Sequence, residues 1–308
     1  MLRIRHEVNG GPEVLFAEEV AAPVPGPGEL LVAVEAVGVT LPVVRKVREG
    51  REPLPLGGEV AGTVAALGEG VRGFSVGDRV TGLCFGHGYA EYALLAAPFA
   101  SAVPDGASSV DAVALVRSGL VARGAWEAGQ VRPGESVLVT AAASGVGSLA
   151  LRLARAGGAG RLVAAVSRPD KAGFVRGLGA DEVVLYDDPA AWGDPYDVVL
   201  DGVGGDLLGP AVRALATGGR LVAYGSGGGT VDAYELLVRG ASVTGFQIRA
   251  VAQGRPEVLE GWRRELWTAY ADGSLRPAVH GKIPLAEAAR AHALIEERRN
   301  LGKVVLIP

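Results

Sequence analysis

The chain has few of the residues that staple a small fold together. Cys84 is its single cysteine and it carries 4 histidines in 308 residues, which excludes an internal disulfide and leaves no ligand set for a cysteine-based tetrahedral metal site; no metal is expected. No segment reaches the roughly 18 consecutive apolar residues of a membrane span. The start, Met1-Leu2-Arg3-Ile4-Arg5-His6, lacks the apolar core of a signal peptide, so the cytoplasm is the expected location. With Lys and Arg at 30, Asp and Glu at 34 and no basic cluster, neither nucleic acid nor an anionic membrane is an expected partner. Cys84 lies in the apolar run 80–85 and reads as a small buried thiol, although His87, three residues on, would be the base a nucleophile needs.

Apolar residues are plentiful, at 49% against 21% charged, and the length points to two packed cores rather than one. The 47 glycines and 18 prolines fall at the ends of apolar runs, where they punctuate strands and helices instead of forming low-complexity blocks.

The strongest single signal is the stretch Val137-Leu138-Val139-Thr140-Ala141-Ala142-Ala143-Ser144-Gly145-Val146-Gly147-Ser148. It reads as a buried strand, a glycine turn and the start of a helix over 149–156, the local plan of a dinucleotide cradle in which a pyrophosphate meets the free N–H groups and dipole of a helix N-terminus. The pattern is looser than G-x-G-x-x-G, because alanine stands where the first glycine would be. Its surroundings strengthen it. Strands are expected at 161–166, 182–185, 196–200 and 220–224, with helices at 171–178 and 207–216 between them. Alternation of this kind implies a doubly wound parallel sheet over residues 118–250, with ligands at the carboxyl ends of its strands. After the second strand a Rossmann-type NAD site usually places an acid. Here the residues are Ser167-Arg168-Pro169-Asp170-Lys171, a hydroxyl and two cations that suit the 2′-phosphate of NADP(H), with Asp170 the one nearby acid that opposes this reading.

The N-terminal third has a different texture. Short β-rich runs at 30–34, 60–66, 79–83 and 90–95 are separated by turns such as Pro25-Gly26-Pro27-Gly28-Glu29 and suggest a compact β barrel. A strand at 242–248, a helix at 256–271 and a tail with a helix at 285–298 and a strand at 303–307 follow the parallel sheet. Residues 1–117 with 251–308 are expected to form one domain and 118–250 the other.

These motifs, in this order, resemble the medium-chain dehydrogenase/reductase superfamily, in its zinc-independent quinone oxidoreductase branch of zeta-crystallin-like enzymes. The resemblance runs nearly end to end, through Pro27-Gly28-Glu29-Leu30, Val34-Glu35-Ala36-Val37-Gly38-Val39, Glu59-Val60-Ala61-Gly62, Gly68-Glu69-Gly70-Val71, Val76-Gly77-Asp78-Arg79-Val80, Gly88-Tyr89-Ala90-Glu91-Tyr92, the cradle, Ala289-Arg290-Ala291-His292 and Gly302-Lys303-Val304-Val305-Leu306. It implies an α/β chain with a Rossmann-type doubly wound parallel sheet and a GroES-like β-barrel domain. It also implies NADPH-dependent hydride transfer to a quinone or similar conjugated carbonyl, with enoyl or enone reduction and a turnover-free NADPH-binding accessory role as alternatives.

The resemblance implies cofactor contacts at Thr40, Ala143, Ser144, Gly145, Val146, Gly147, Ser167, Arg168, Lys171, Tyr186, Gly202, Val203, Tyr224, Gly225, Ser226, Phe246, Gln247 and Lys303. Thr40 and Gly57-Gly58-Glu59 stand where similar zinc enzymes carry Cys and Gly-His-Glu, and Thr40 also replaces an Asn common in the quinone reductase branch. Hydride addition leaves negative charge on an acceptor oxygen, and the candidate donors to it are Thr40, Arg45, Tyr89 and Ser118. Each has a structural alternative: a capped turn for Thr40, a solvated helix face for Arg45, barrel packing for Tyr89. His87 is a further candidate for the substrate site, whereas His292 reads as helix packing. A homodimer through the strand 242–248 is expected, as members of the family often join such edges.

Overall fold

The computed structural model describes every residue except Arg51 and Phe85. The apolar run read over 80–85 is therefore described through Cys84 only. The chain divides into two compact units, Met1–Arg117 with Val279–Pro308, and Ser118–Ala278.

The second unit is built on a six-stranded, all-parallel sheet in the spatial order Glu182–Leu185, Arg161–Val166, Ser136–Val139, Tyr196–Asp201, Leu215–Ala223, Ser242–Gly245. Counted along the chain this is 3-2-1-4-5-6, the doubly wound order, and the order reverses between the first and fourth strands. The strand Arg161–Val166 is buried at five successive positions, as expected of a strand covered on both faces. Crossover helices such as Gly145–Ala156 return the chain between parallel neighbours.

The first unit is a mostly antiparallel sheet centred on the long strand Glu29–Val39, which pairs with Glu59–Leu67, Tyr92–Ala96 and Lys303–Ile307. Tyr92–Ala96 alternates half-buried and buried, the signature of one face on a core. The C-terminal strand adds to the sheet by pairing Val304 with Val39, so the two chain ends share one unit.

Three sequence expectations change. Residues 251–278 stay with the second unit instead of joining the barrel, because the helix Pro256–Ala271 packs there. Leu266 occupies the space beside Gly119, the Trp262 and Phe246 rings lie 6.2 Å apart, and Trp262 Nε1 donates to Glu127 Oε2 at 3.1 Å. The strand read over 242–248 ends at Gly245, and a helix, Ile248–Gly254, begins after Gln247. The helix read over 207–216 is short, Leu208–Arg213, because the next strand takes over at Leu215. The helix Ser109–Ala128 is rich in Ala, Val and Leu on most of its circumference, so no amphipathic stripe marks it in the sequence.

In the core of the first unit, Tyr89 and His292 are both buried and their Oη and Nε2 lie 3.1 Å apart, in a hydrogen bond. Burial holds the His292 imidazole down at about 4, with Glu296 opposing and His6 reinforcing that shift. The unfolded chain binds a proton at this residue below about pH 6.5 while the folded chain does not, so stability is fully present above that pH and is lost as the pH falls toward 4. His292→Gln should therefore flatten the decline of Tm between pH 6.5 and 5, a window above the titration of the Glu296–Arg48 ion pair. The wild-type slope from this residue is at most about 1.4 kcal/mol per pH unit. Parallel Tm profiles for the two proteins in that window would contradict the assignment.

Candidate functional site

At the reversal point of the parallel sheet the first and fourth strands end in a polar clamp. Thr140 Oγ1 donates to Asp201 Oδ1 at 2.6 Å and accepts from Gly202 N at 2.9 Å. The same carboxylate accepts from Val203 N at 3.1 Å and Gly204 N at 2.9 Å. Thr140 and Asp201 are both buried. The clamp shapes the turn that follows each strand. Ala141 is held with φ +50°, a conformation glycine adopts more easily, and its N–H donates to Tyr186 Oη at 2.7 Å. Ser144 caps the helix Gly145–Ala156 by accepting from Gly147 N at 3.0 Å. The first helical N–H groups, at Gly145 and Val146, have no intrahelical partner by geometry and face the turn.

These features fit a dinucleotide. A Cβ on Gly147 would fall 2.8 Å from Ala142 Cα and closer still to Ala141 O, so only glycine permits this backbone approach. A Cβ on Gly225 would likewise meet Gly202 and lie 2.9 Å from Val203 N. The Tyr224 hydroxyl is buried beside Gly202 with no hydrogen-bond partner among the described residues, and burial together with Asp201 and Tyr186 pushes its ionisation up, so it remains a donor in want of an acceptor. Ala143, Gly145, Val146, Gly147, Tyr186, Gly202, Val203, Tyr224, Gly225 and Ser226 all fall on this set of turns. Two roles differ from the sequence reading. Ser144's oxygen is engaged as the helix cap, and the N–H groups of Gly202 and Val203 serve the clamp, which leaves their carbonyls and Cα atoms for a ligand.

After the second strand, Ser167 is half-buried and Arg168 exposed, with Arg168 Nη2 donating to Asp170 Oδ2 at 2.8 Å. Lys171 is buried in the 3₁₀ turn Pro169–Lys171 and is not on a solvated face. Phe246 does not reach toward this cluster as a free ring, since it fills the space beside Gly124 and packs on Trp262. Gln247 is exposed at the start of the helix Ile248–Gly254.

The barrel unit gathers a second polar group at one end of its sheet. Glu59 opens its strand opposite Leu83, and Lys303 stands one residue before the Val304–Val39 pair and hence beside Thr40. Glu59 and Lys303 are buried and form an ion pair, and Gly38 leaves the space that the Glu59 carboxylate occupies. The Arg117 guanidinium lies 3.6 Å from Glu59 Oε2. Lys303, read as a cofactor contact, thus has its ammonium on Glu59; burial pushes it down, which the adjacent carboxylate opposes. Sequence reasoning missed Glu59 and Arg117, which are 58 positions apart along the chain.

Thr40 is buried at the start of the helix Leu41–Glu49, its carbonyl accepting from Val43 and Val44 while its hydroxyl makes no capping bond, so the capped-turn alternative fails. Arg45 is half-buried on that helix. Ser118 is buried within the helix Ser109–Ala128. Tyr89 is a core residue, its hydroxyl taken by His292, and is withdrawn as an acceptor-oxygen donor. Burial pushes the Cys84 thiol up to about 12, which makes it inert as a nucleophile at neutral pH. His87 is exposed on a left-handed turn and lines a pocket with Arg3, His6, Leu54 and Leu56.

Residues 26–105 match the alcohol dehydrogenase GroES-like domain and residues 178–306 the zinc-binding dehydrogenase family. The quinone oxidoreductase of Pseudomonas aeruginosa is 33% identical over 99% of both chains, and quinone oxidoreductase 1 of Escherichia coli is 32% identical over 99% of both. The chain belongs to the medium-chain dehydrogenase/reductase superfamily. Within that superfamily it is similar to a mycobacterial protein solved in complex with NADPH (TM-score 0.93, 33% identity, 100% of both chains) and to the E. coli quinone oxidoreductase solved with NADPH (TM-score 0.91, 29% identity, 100% of both). A 2-haloacrylate reductase from Burkholderia is 31% identical over 97% of this chain and 96% of its own length. Its α/β architecture, a Rossmann-type sheet with a GroES-like barrel unit, is that of the superfamily. Zinc, which one family description implies, does not fit the donor set of the barrel end: Thr40 and Gly58 offer no imidazole or thiolate, and Glu59 is held by Lys303. Among the described residues no group of three or more His, Cys, Asp and Glu is placed to hold a metal, and no helix is long and apolar enough to cross a membrane.

Gly147→Ala should push the cradle apart and cost about 1–3 kcal/mol of stability. Its Kd for NADPH should rise at least tenfold. Calorimetric titration of wild type and variant checks this, and equal affinities would show that the turn is not the pyrophosphate seat.

Proposed function

We propose that this protein is an NADPH-dependent, zinc-independent reductase that transfers hydride to a quinone or a similar conjugated carbonyl compound. The observation that carries the reading is the cradle at the sheet's reversal point, with its glycine close approach, open helix N-terminus and a Tyr224 hydroxyl unpartnered among the described residues. To Ser167, Arg168 and Lys171, after the second strand, we assign the 2′-phosphate. When bound, NADPH supplies the hydride. The chain's own contribution is to hold the cofactor and to steady the charge that appears on the acceptor oxygen, a role assigned to the Thr40 hydroxyl and the Arg45 guanidinium, after which water supplies the proton. Reduction of the C=C bond of an enone or unsaturated acid is the second reading, favoured by the similarity to a 2-haloacrylate reductase.

Steady-state assays with NADPH against a panel of quinones, enones and unsaturated acids test the reading, and absence of turnover with all three classes would point to an accessory NADPH-binding protein. Arg168→Ala should raise the Kd for NADPH about tenfold more than that for NADH, near the low end for loss of a charge-assisted contact because Asp170 already shares the guanidinium. Equal wild-type affinity for the two cofactors would defeat the NADP(H) assignment.

We also infer a homodimer formed through the strand Ser242–Gly245. That strand lies at the edge of the parallel sheet, and the helix Ala233–Arg239 just before it exposes Tyr234, Leu237 and Val238. Thr244→Pro removes a ladder donor and should shift the protein toward monomer in light scattering at micromolar concentration. A monomeric wild type, or a dimer indifferent to the substitution, would refute the interface.

A further inference from the structure

At the polar end of the barrel one carboxylate faces two cations. Lys303 and Glu59 already neutralise each other in a buried pair, so Arg117 adds a positive charge that the cluster does not balance. Its approach to Glu59 is at 3.6 Å, too long for a hydrogen bond, and Glu59 Oε2 is buried with no hydrogen-bond partner among the described residues. Among the described residues Arg117 makes no hydrogen bond at all, although a guanidinium carries five N–H donors. Among the described residues the other ionisable side chain that acts on it is Cys84, whose thiol burial keeps protonated. The Arg117 side chain is 21% exposed and rises from an otherwise apolar stretch of the helix Ser109–Ala128. A desolvated guanidinium whose donors meet no acceptor among the described residues matches, by its planar fork, the two oxygens of a carboxylate.

We propose that Arg117 is a specificity-determining residue that binds a carboxylate carried by the acceptor, so that among conjugated acceptors those bearing a carboxylate are favoured over their neutral analogues. The inference rests on the reductase reading for its substrate, but the anion site itself does not. Glu59 and Lys303 act as its frame: the pair holds the carboxylate of Glu59 beside Arg117 without saturating it. Thr40 stands next to Lys303 at the same end of the sheet.

The test uses the full chain with two pairs of small molecules. Butyrate, which cannot be reduced, should bind at least tenfold more tightly than butyramide in calorimetric titration. Arg117→Met should abolish that preference, while Arg117→Lys, which keeps the charge but loses the planar fork, should retain part of it. In turnover, the ratio of kcat/KM for 2-chloroacrylate to that for 2-chloroacrylamide should fall at least tenfold in Arg117→Met. A wild type that does not distinguish butyrate from butyramide overturns the proposal, as does an Arg117→Met protein that still does. If Arg117→Met does not fold, Arg117→Lys decides, and an undiminished butyrate preference in it overturns the proposal. Butyrate binding through Arg117 in a protein that reduces no acceptor would leave the anion site standing and defeat the reductase reading alone.

Discussion

The buried Thr140–Asp201 contact is the constraint on which the nucleotide unit depends. Two strands that are neighbours in space but 61 residues apart in the chain end side by side, and a 2.6 Å hydrogen bond between their terminal side chains locks that ending. A carboxylate placed there must be satisfied, and it is, by one hydroxyl and the backbone N–H groups of Val203 and Gly204. Satisfying it folds the chain after the fourth strand into the tight turn against which Gly225 and Gly227 pack, and it leaves the turn after the first strand free to open a helix N-terminus. The same contact that stabilises the sheet's end thus shapes the turn that opens the helix Gly145–Ala156. No side chain with a positive charge is needed at the centre of the cradle, because oriented backbone N–H groups and the helix dipole supply the field.

The barrel unit solves a different problem with the same means. Its sheet is nearly all apolar within, and at one end it holds a buried ion pair. Glu59 and Lys303 meet there only because the C-terminal strand returns to pair with Glu29–Val39, and glycine at position 38 leaves room for the carboxylate. Replacing either partner alone would strand a charge in the core, a far larger penalty than the pair's net contribution. In related enzymes that bind zinc this region carries metal ligands by resemblance of the motifs. In this chain Thr40 and Gly58 remove them, and an organic ion pair with an adjoining guanidinium occupies the neighbourhood instead.

Much of the molecule was legible in one dimension. Strands at 136–139 and 161–166 are the same in sequence and structure because a parallel strand buried on both faces is a continuous β-branched and aliphatic run that few other elements imitate, and the half-buried edge strand at 182–185 keeps the same apolar run, Val183-Val184-Leu185. The helix start at Gly145 was legible because caps and glycines are local requirements. The helix Ser109–Ala128 was not, since apolar residues around much of its surface erase the periodic signal. Nor could the pattern of residues 256–271 say which unit that amphipathic helix joins: Leu266, Trp262 and Glu265 find partners at Gly119, Phe246 and Arg123, all distant in the chain.

The sequence by itself determined the alternation of strands and helices, the position of the glycine turn, the two cations after the second strand and the lack of zinc donors at positions 40 and 58, because each of these follows from local chemistry or from residue identity alone. Tertiary structure decided what long-range contact decides. It gave Tyr89 to His292, Phe246 to Gly124 and Lys303 to Glu59, and it brought Arg117 to a carboxylate it does not fully engage. A side chain's role as donor, packing element or counter-ion depends on which distant residue reaches it first with the right geometry, and loop closure over tens to hundreds of residues leaves no trace in the spacing of the residues it joins.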